Sequence, residues 1–217
     1  MPLTLYAHPF SSYCQKVLVA LYANDLPFEY RTLEDPAAMA ELKARWPFAR
    51  FPILVDEGRT VAESTIIIEH LMLRHGGRVR WLPDDPHQAL EVRFLDRFFD
   101  NDVMAAMQKP VFAALKQDSI RKDEAMVEAR RALELAYAWL EQRLEGRTWA
   151  AGESLGLADC AAAPSLFYAD WVHPIGAACP RLSAYRSRLL AWPAFARAVD
   201  EARPFRHYFP LGAPDRD

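Results

Sequence analysis

The hydrophobic pattern of this chain changes character once, and that change restricts its fold more than any single motif does. Over the first 75 residues, short alternating stretches take turns with helical ones. Leu3-Thr4-Leu5-Tyr6 reads as a strand, and Gln15 to Ala23 as a helix with Val17, Leu18, Leu21 and Tyr22 on one face. Phe28, Tyr30 and Thr32 alternate with charged residues, the pattern of a half-buried strand. Asp35-Pro36 supplies an N-cap followed by proline at the first helical position, and the helix it opens ends at Trp46-Pro47. Ile53 to Val55 and Thr60-Val61 flank Asp56-Glu57-Gly58-Arg59, a hairpin signal in which the glycine accommodates a positive φ. Ser64 to His75 forms a third helix closed by Gly76-Gly77. The order strand-helix-strand-helix-strand-strand-helix is that of a small mixed sheet covered by helices, an α/β layer structure.

After Gly76 the alternation stops. Residues 77–87 carry no period and include Pro83 and Pro86, so they read as a linker between a first domain, 1–76, and a second, 88–217. In the second domain Val92, Leu95, Phe98, Phe99 and Val103 recur at helical spacing, as do Val127, Ala132, Leu135, Trp139, Leu140 and Leu144. Leu157 to Phe167, Pro180 to Leu190 and Pro193 to Ala202 complete an all-α bundle. At 217 residues and 52% apolar, the chain has material for two such cores. A net charge of -3 gives no electrostatic case for nucleic acid or an anionic membrane, and no apolar run approaches the ~20 residues of a membrane span. Cys14, Cys160 and Cys179 are few, odd in number and scattered, which argues against a disulfide framework and for a reducing, cytoplasmic setting. Nothing at the start reads as an export signal.

The chemistry concentrates in Ser11-Ser12-Tyr13-Cys14, where the first strand hands over to the first helix. The spacing is that of Cys-x-x-Cys with the first thiol replaced. In redox proteins carrying that motif, the first cysteine is the exposed nucleophile, its pKa lowered by the helix N-terminus. Serine cannot serve as that nucleophile. It can donate a hydrogen bond to a thiolate carried by a bound thiol, which converts a redox site into a thiol-activating one.

Three pieces of the chain together resemble the cytosolic glutathione transferases: Ser11 at the first turn, Trp46-Pro47-Phe48-Ala49-Arg50-Phe51-Pro52-Ile53-Leu54-Val55-Asp56, and Glu63-Ser64 before Ile66-Ile67-Ile68-Glu69-His70-Leu71. They lie in the family's order and at its spacing, and the resemblance spans nearly the whole chain. It implies a thioredoxin-like α/β N-terminal domain that binds glutathione and an all-helical C-terminal domain. It also implies a homodimer, glutathione as co-substrate, an apolar electrophile as second substrate, and a role in detoxification.

On that resemblance Ser11 stabilises the glutathione thiolate, with Ser12 as its main competitor. Tyr6 is a further alternative, because other classes of the family use a tyrosine near the end of the first strand. Pro52 matches the family's cis-proline, which would turn the backbone of Phe51 outward to pair with the cysteinyl backbone of the tripeptide. Glu63 would meet the γ-glutamyl ammonium and Ser64 the adjacent carboxylate at a helix N-terminus. Arg50 or Lys43 is the candidate for the glycyl carboxylate. A free thiol of pKa near 8.5 is only about 3% ionised at pH 7. A hydrogen bond to a charged group contributes roughly 1.5–3 kcal/mol, so one hydroxyl can lower that pKa by about one to two units.

Blander roles stand beside these. Ser11 or Ser12 also suits an N-cap, Glu63-Ser64 a helix cap, Arg50 a solvated charge and Cys14 a buried filler. Phe10, Met104, Met107 and Phe112 are the candidates for an apolar electrophile pocket between the domains, or else pack the bundle. The six histidines show no metal-ligand spacing and no glycine-rich phosphate loop appears, so neither a metal nor a nucleotide is expected. Gly156-Leu157-Ala158-Asp159 resembles the family's buried helix cap, with glycine where serine or threonine usually stands. Three other activities remain: a non-catalytic, dimerising interaction protein of the same fold, a zeta-like glutathione-dependent isomerase, and a thiol-disulfide oxidoreductase acting through Cys14.

Overall fold

The computed structural model describes residues 2–117 and 119–217. The chain forms two compact units, Met1–Trp81 with Pro193–Arg203 and Leu82–Trp192 with Pro204–Asp217.

The first unit holds a four-stranded sheet in the order β2-β1-β3-β4, made of β1 (Leu3–Ala7), β2 (Phe28–Thr32), β3 (Ile53–Asp56) and β4 (Arg59–Ala62). β1 runs parallel to β2, with Leu3 opposite Phe28, and antiparallel to β3, with Tyr6 opposite Ile53. A parallel pair needs a crossover, and α1 (Ser12–Ala23) provides it. β3 and β4 form the expected hairpin around Glu57-Gly58, both at positive φ as a two-residue turn of this kind requires. α2 (Pro36–Arg45) covers a core of Tyr6, Leu33, Ala38, Leu42 and Ile53. α1 packs with α3 (Ser64–His75) and with α9 (Pro193–Ala202).

The departures from the sequence reading have identifiable causes. Helix α1 starts at Ser12, three residues early, because Ser11 is its cap. The expected linker is packed rather than solvated: Trp81 and Leu82 are buried, and the Asn24 side chain accepts from the Val79 N–H at 2.6 Å and donates to its carbonyl at 3.3 Å. Gly77 allows this approach, since a Cβ there would sit 2.2 Å from Asn24 Cγ. Pro193–Ala202, expected in the helical domain, belongs with the first unit. The Tyr22 hydroxyl donates to Glu201 at 2.6 Å, and the Arg197 guanidinium lies 3.8 Å from the Tyr22 ring centroid. An apolar stripe of Ala194, Phe195, Ala198 and Val199 announces a buried face without saying which partner covers it.

The second unit contains α4 (Pro86–Phe98), a π-helical turn (Phe99–Met104), α5 (Ala105–Leu115), α6 (Ser119–Arg143), α7 (Leu157–Val172) and α8 (Pro180–Ala191). α4 opens inside the expected linker, where Asp85-Pro86 repeats the cap of Asp35-Pro36 and Asp85 accepts from the Gln88 N–H at 2.8 Å. On α6 the buried face is Ala129, Leu133, Ala136, Tyr137 and Leu140, whereas Val127 and Leu135, read as core, are exposed. α7 is buried along almost its whole length and serves as the unit's central helix. Its cap works backwards, as Gly156 leaves it to do. The Asp159 carboxylate accepts from the Gly156 N–H at 2.8 Å, the Ala150 N–H at 3.0 Å and the Tyr185 hydroxyl at 2.5 Å. Burial pushes that carboxyl up to about 6 against the pull of these donors.

Candidate functional site

Strand register gathers the motif residues at one end of the sheet. β1 ends at Ala7 and leads into the Ser11 turn; β3 begins at Ile53, opposite Tyr6, so Phe51-Pro52 lies just beyond the same end; β4 ends at Ala62, opposite Ile53, so Glu63-Ser64 does too. Three segments distant in sequence therefore meet because the antiparallel pairs place the end of β1, the start of β3 and the end of β4 side by side.

The Ser11 turn is held on several sides. Its N–H donates to the His8 carbonyl at 3.0 Å, its carbonyl accepts from the Gln15 N–H at 2.8 Å, and the Gln15 side chain donates to the Pro9 carbonyl at 3.0 Å. His8 Nδ1 accepts from the Phe10 N–H at 3.1 Å, which leaves Nε2 to donate to Glu34 at 2.8 Å. Ser11 is the N-cap of α1, and its Oγ accepts from the Cys14 N–H at a long 3.5 Å. A hydroxyl that accepts still has its proton to donate. The hydroxyl also reaches the Cys14 sulfur, and with the His8 N–H it favours a thiolate there. Burial wins, and the Cys14 thiol is pushed up to about 12. A neutral thiol is a weak acceptor, so an incoming thiolate competes well for the Ser11 proton. Ser12, the first helical residue, is buried, and among the described residues its side chain makes no hydrogen bond.

The other predicted residues divide. The Tyr6 hydroxyl donates to Glu41 at 2.7 Å beneath α2, and burial with that carboxylate raises its pKa, the reverse of what a thiol activator needs. The Phe51-Pro52 peptide is cis and Pro52 is buried. Among the described residues neither the N–H nor the carbonyl of Phe51 is hydrogen-bonded. Glu63 stands at φ 70° and ψ 120°, unusual for a residue with a Cβ, with its carboxylate exposed and its carbonyl accepting from the Ile67 N–H at 2.9 Å. Ser64 is buried as the first residue of α3. Arg50 lies 3.8 Å from Glu63 and 5.4 Å from the Phe48 ring centroid, on the Glu63 side of the site. Lys43, in the last turn of α2, is exposed and has no ion pair among the described residues.

Of the four apolar candidates, Met104 and Met107 are buried, Phe10 is half-buried and Phe112 is exposed. Sequence reasoning missed two supports. His8 anchors the turn as described, and its place before Pro9 at the strand exit was the available signal. Lys16, not singled out in the sequence, is buried, and its ammonium donates to the Thr65 hydroxyl at 2.9 Å beside Ser64. It ties the first turn of α3 to α1.

A thioredoxin-like domain together with a helical unit is the architecture of the glutathione transferase class. The family descriptions "Glutathione S-transferase, N-terminal domain" and "Glutathione S-transferase, C-terminal domain" match residues 5–79 and 103–193. The chain belongs to the cytosolic glutathione transferase family. It is 30% identical over 154 residues to glutathione transferase GST 23 of Zea mays, covering 70% of this chain and 64% of that protein, so it spans just under two thirds of that relative's length. It is 26% identical over 207 residues to a probable maleylacetoacetate isomerase of Caenorhabditis elegans, covering 92% and 94%. A delta-class glutathione transferase of Nilaparvata lugens superposes with a TM-score of 0.83 at 23% identity over 97% and 99% of the two chains, a likeness of fold. Among the described residues no helix is long and apolar enough to cross a membrane.

Proposed function

We propose that this protein is a glutathione transferase that holds the glutathione thiol as a thiolate and presents it to an apolar electrophile. The observation that carries the reading is the Ser11 hydroxyl at the N-terminus of α1, at the same sheet end as the Glu63-Ser64 corner and a Phe51 main chain that makes no hydrogen bond among the described residues. In this reading the hydroxyl proton and the positive end of α1 stabilise the sulfur anion. Phe51 pairs with the cysteinyl backbone. Glu63 takes the ammonium, and the N-terminus of α3 at Ser64 the neighbouring carboxylate. The position of Arg50 next to Glu63 favours Lys43 for the glycyl carboxylate. The glutathione sulfur then forms a bond to the electrophilic carbon as the carbon's bond to its leaving group breaks, the leaving group departing to solvent with the electron pair, and the protein supplies no nucleophile of its own. Phe10, half-buried one residue before Ser11, retains apolar surface for that second substrate. The homodimer and cytoplasmic location of the reading follow from the family resemblance.

A second reading, glutathione-dependent isomerisation of the maleylacetoacetate type, is supported by the near full-length match to the Caenorhabditis elegans relative and by the paired serines at 11 and 12. Calorimetry with glutathione, followed by turnover assays with an aryl halide and with a cis-enone diacid, tests both. Saturable glutathione binding with aryl transfer supports the first reading, and binding with isomerisation alone supports the second. No binding at millimolar glutathione leaves a non-catalytic interaction protein as the account.

A further inference from the structure

Away from the sulfur site, the far end of the β3–β4 hairpin carries a cluster with a different chemistry. Asp56, the last residue of β3, is only 4% exposed. One of its oxygens, Oδ2, accepts from His70 Nε2 at 2.8 Å and from His75 Nε2 at 2.9 Å. Both histidines come from α3, five residues apart, and the second is the helix's last residue. That interval departs from the three- and four-residue spacings of helical ligand pairs, and the carboxylate arrives from another element. The cluster is therefore invisible in the sequence. His70 is half-buried and His75 exposed, so the group opens to solvent on one side.

We infer that Asp56, His70 and His75 form a binding site for a divalent transition ion of the zinc type, with two imidazole nitrogens and one carboxylate oxygen as protein ligands and water completing the shell. The three ligand atoms lie within 4.8 Å of one another. A tetrahedral ion with bonds of about 2.0–2.1 Å needs its ligands roughly 3.3 Å apart, so each atom moves by well under the width of a side chain. In the hydrogen-bonded form each Nε2 holds a proton. To ligate, each imidazole gives up that proton, either to Nδ1 or to solvent if the ring was charged, and offers its lone pair. Among the described residues neither Nδ1 is hydrogen-bonded, so both are open to receive it. On the same helix Arg74 is paired with Glu57 at 2.9 Å, which offsets its charge toward an incoming ion; Arg59, opposite Asp56 in the hairpin register, is exposed. Two imidazoles and one carboxylate with an open position are a donor set that zinc, nickel and copper accept and magnesium or calcium do not favour. The competing account is an ion triad that pins the C-terminus of α3 to β3 through protonated histidines alone.

The test is a titration of the full-length protein with Zn²⁺, without added thiol, by calorimetry and by competition with a chromophoric chelator. Wild type, His70→Ala, His75→Ala and Cys179→Ser are compared, the last because Cys179 is the one cysteine of the three that is not buried. The expected result is one Zn²⁺ per chain, weakened at least tenfold by either histidine substitution and unchanged by Cys179→Ser. Imidazole ¹⁵N spectra of wild type provide a readout independent of variant folding, with two Nε2 resonances shifting on Zn²⁺ addition. The proposal is overturned if wild type binds no Zn²⁺ at micromolar concentration. It is equally overturned if binding survives in both histidine variants, or if two Nε2 resonances stay in place at saturation.

Discussion

If Glu63 holds glutathione as proposed, folding and ligand binding pull in opposite directions there, and three substitutions separate the two. Its backbone at φ 70° and ψ 120° costs a residue with a Cβ roughly 1–3 kcal/mol. Glycine removes that strain and adds about 0.5–1 kcal/mol of chain entropy to be lost on folding. Glu63→Gly is therefore expected to be more stable than wild type by up to about 2 kcal/mol, and more stable than Glu63→Ala by a similar amount. The contact with Arg50 at 3.8 Å joins two mostly exposed side chains, so Glu63→Gln should unfold within about 0.5 kcal/mol of wild type. Glutathione binding moves the other way. A charge-assisted bond to the γ-glutamyl ammonium contributes about 1.5–3 kcal/mol, so all three variants should bind roughly 10–150-fold more weakly. Urea midpoints give the first quantity and calorimetric Kd values the second. A glycine variant no more stable than the alanine one would refute the strain argument. A glutamine variant that binds glutathione like wild type would remove the carboxylate from the site.

Two further outcomes follow from the geometry. Cys14, fully buried with its thiol pushed up to about 12, should resist a thiol reagent at pH 8 in the native protein while Cys179 reacts, and Cys14→Ala should keep transferase activity; loss of activity would revive a redox role. Asp159, raised from 3.8 to about 6, binds its proton more tightly in the folded protein than in the unfolded chain. Its stabilising contribution is thus full below about pH 4, declines by on the order of 3 kcal/mol as pH rises through 6, and is constant above. Unfolding free energies across pH 4–7 should lose that fall in Asp159→Asn, and an unchanged slope in the variant would assign the pH dependence to other groups.

Much of the first unit was legible because its signals are local. The strands, the Asp35-Pro36 cap and the Glu57-Gly58 hairpin depend on neighbours in sequence, and each appears where its residues place it. The gathering of Ser11, Pro52 and Glu63 at one end of the sheet was legible only as a resemblance, since register between distant strands leaves no trace in any one of them. What escaped was long-range partnership. A stripe on α9 shows that a face is buried, and α1 is the partner that covers it. The burial of Lys16 depends on Thr65, which arrives from α3. On α6 several apolar residues compete for the same period, and packing, rather than spacing, selected Leu133 and Tyr137 over Val127 and Leu135. Asp85-Pro86 was a local signal and readable; the aperiodic stretch before it, with Pro83, obscured it.

The central claim is that the Ser11 hydroxyl keeps a borrowed sulfur ionised. The direct measurement is the ultraviolet thiolate absorbance of protein-bound glutathione as a function of pH, in wild type, Ser11→Ala and Ser12→Ala. A bound thiol pKa of about 6.5–7.5 is expected in wild type, raised by about one to two units in Ser11→Ala and unmoved in Ser12→Ala. A Ser11→Ala protein that binds glutathione with the wild-type thiol pKa would contradict the account.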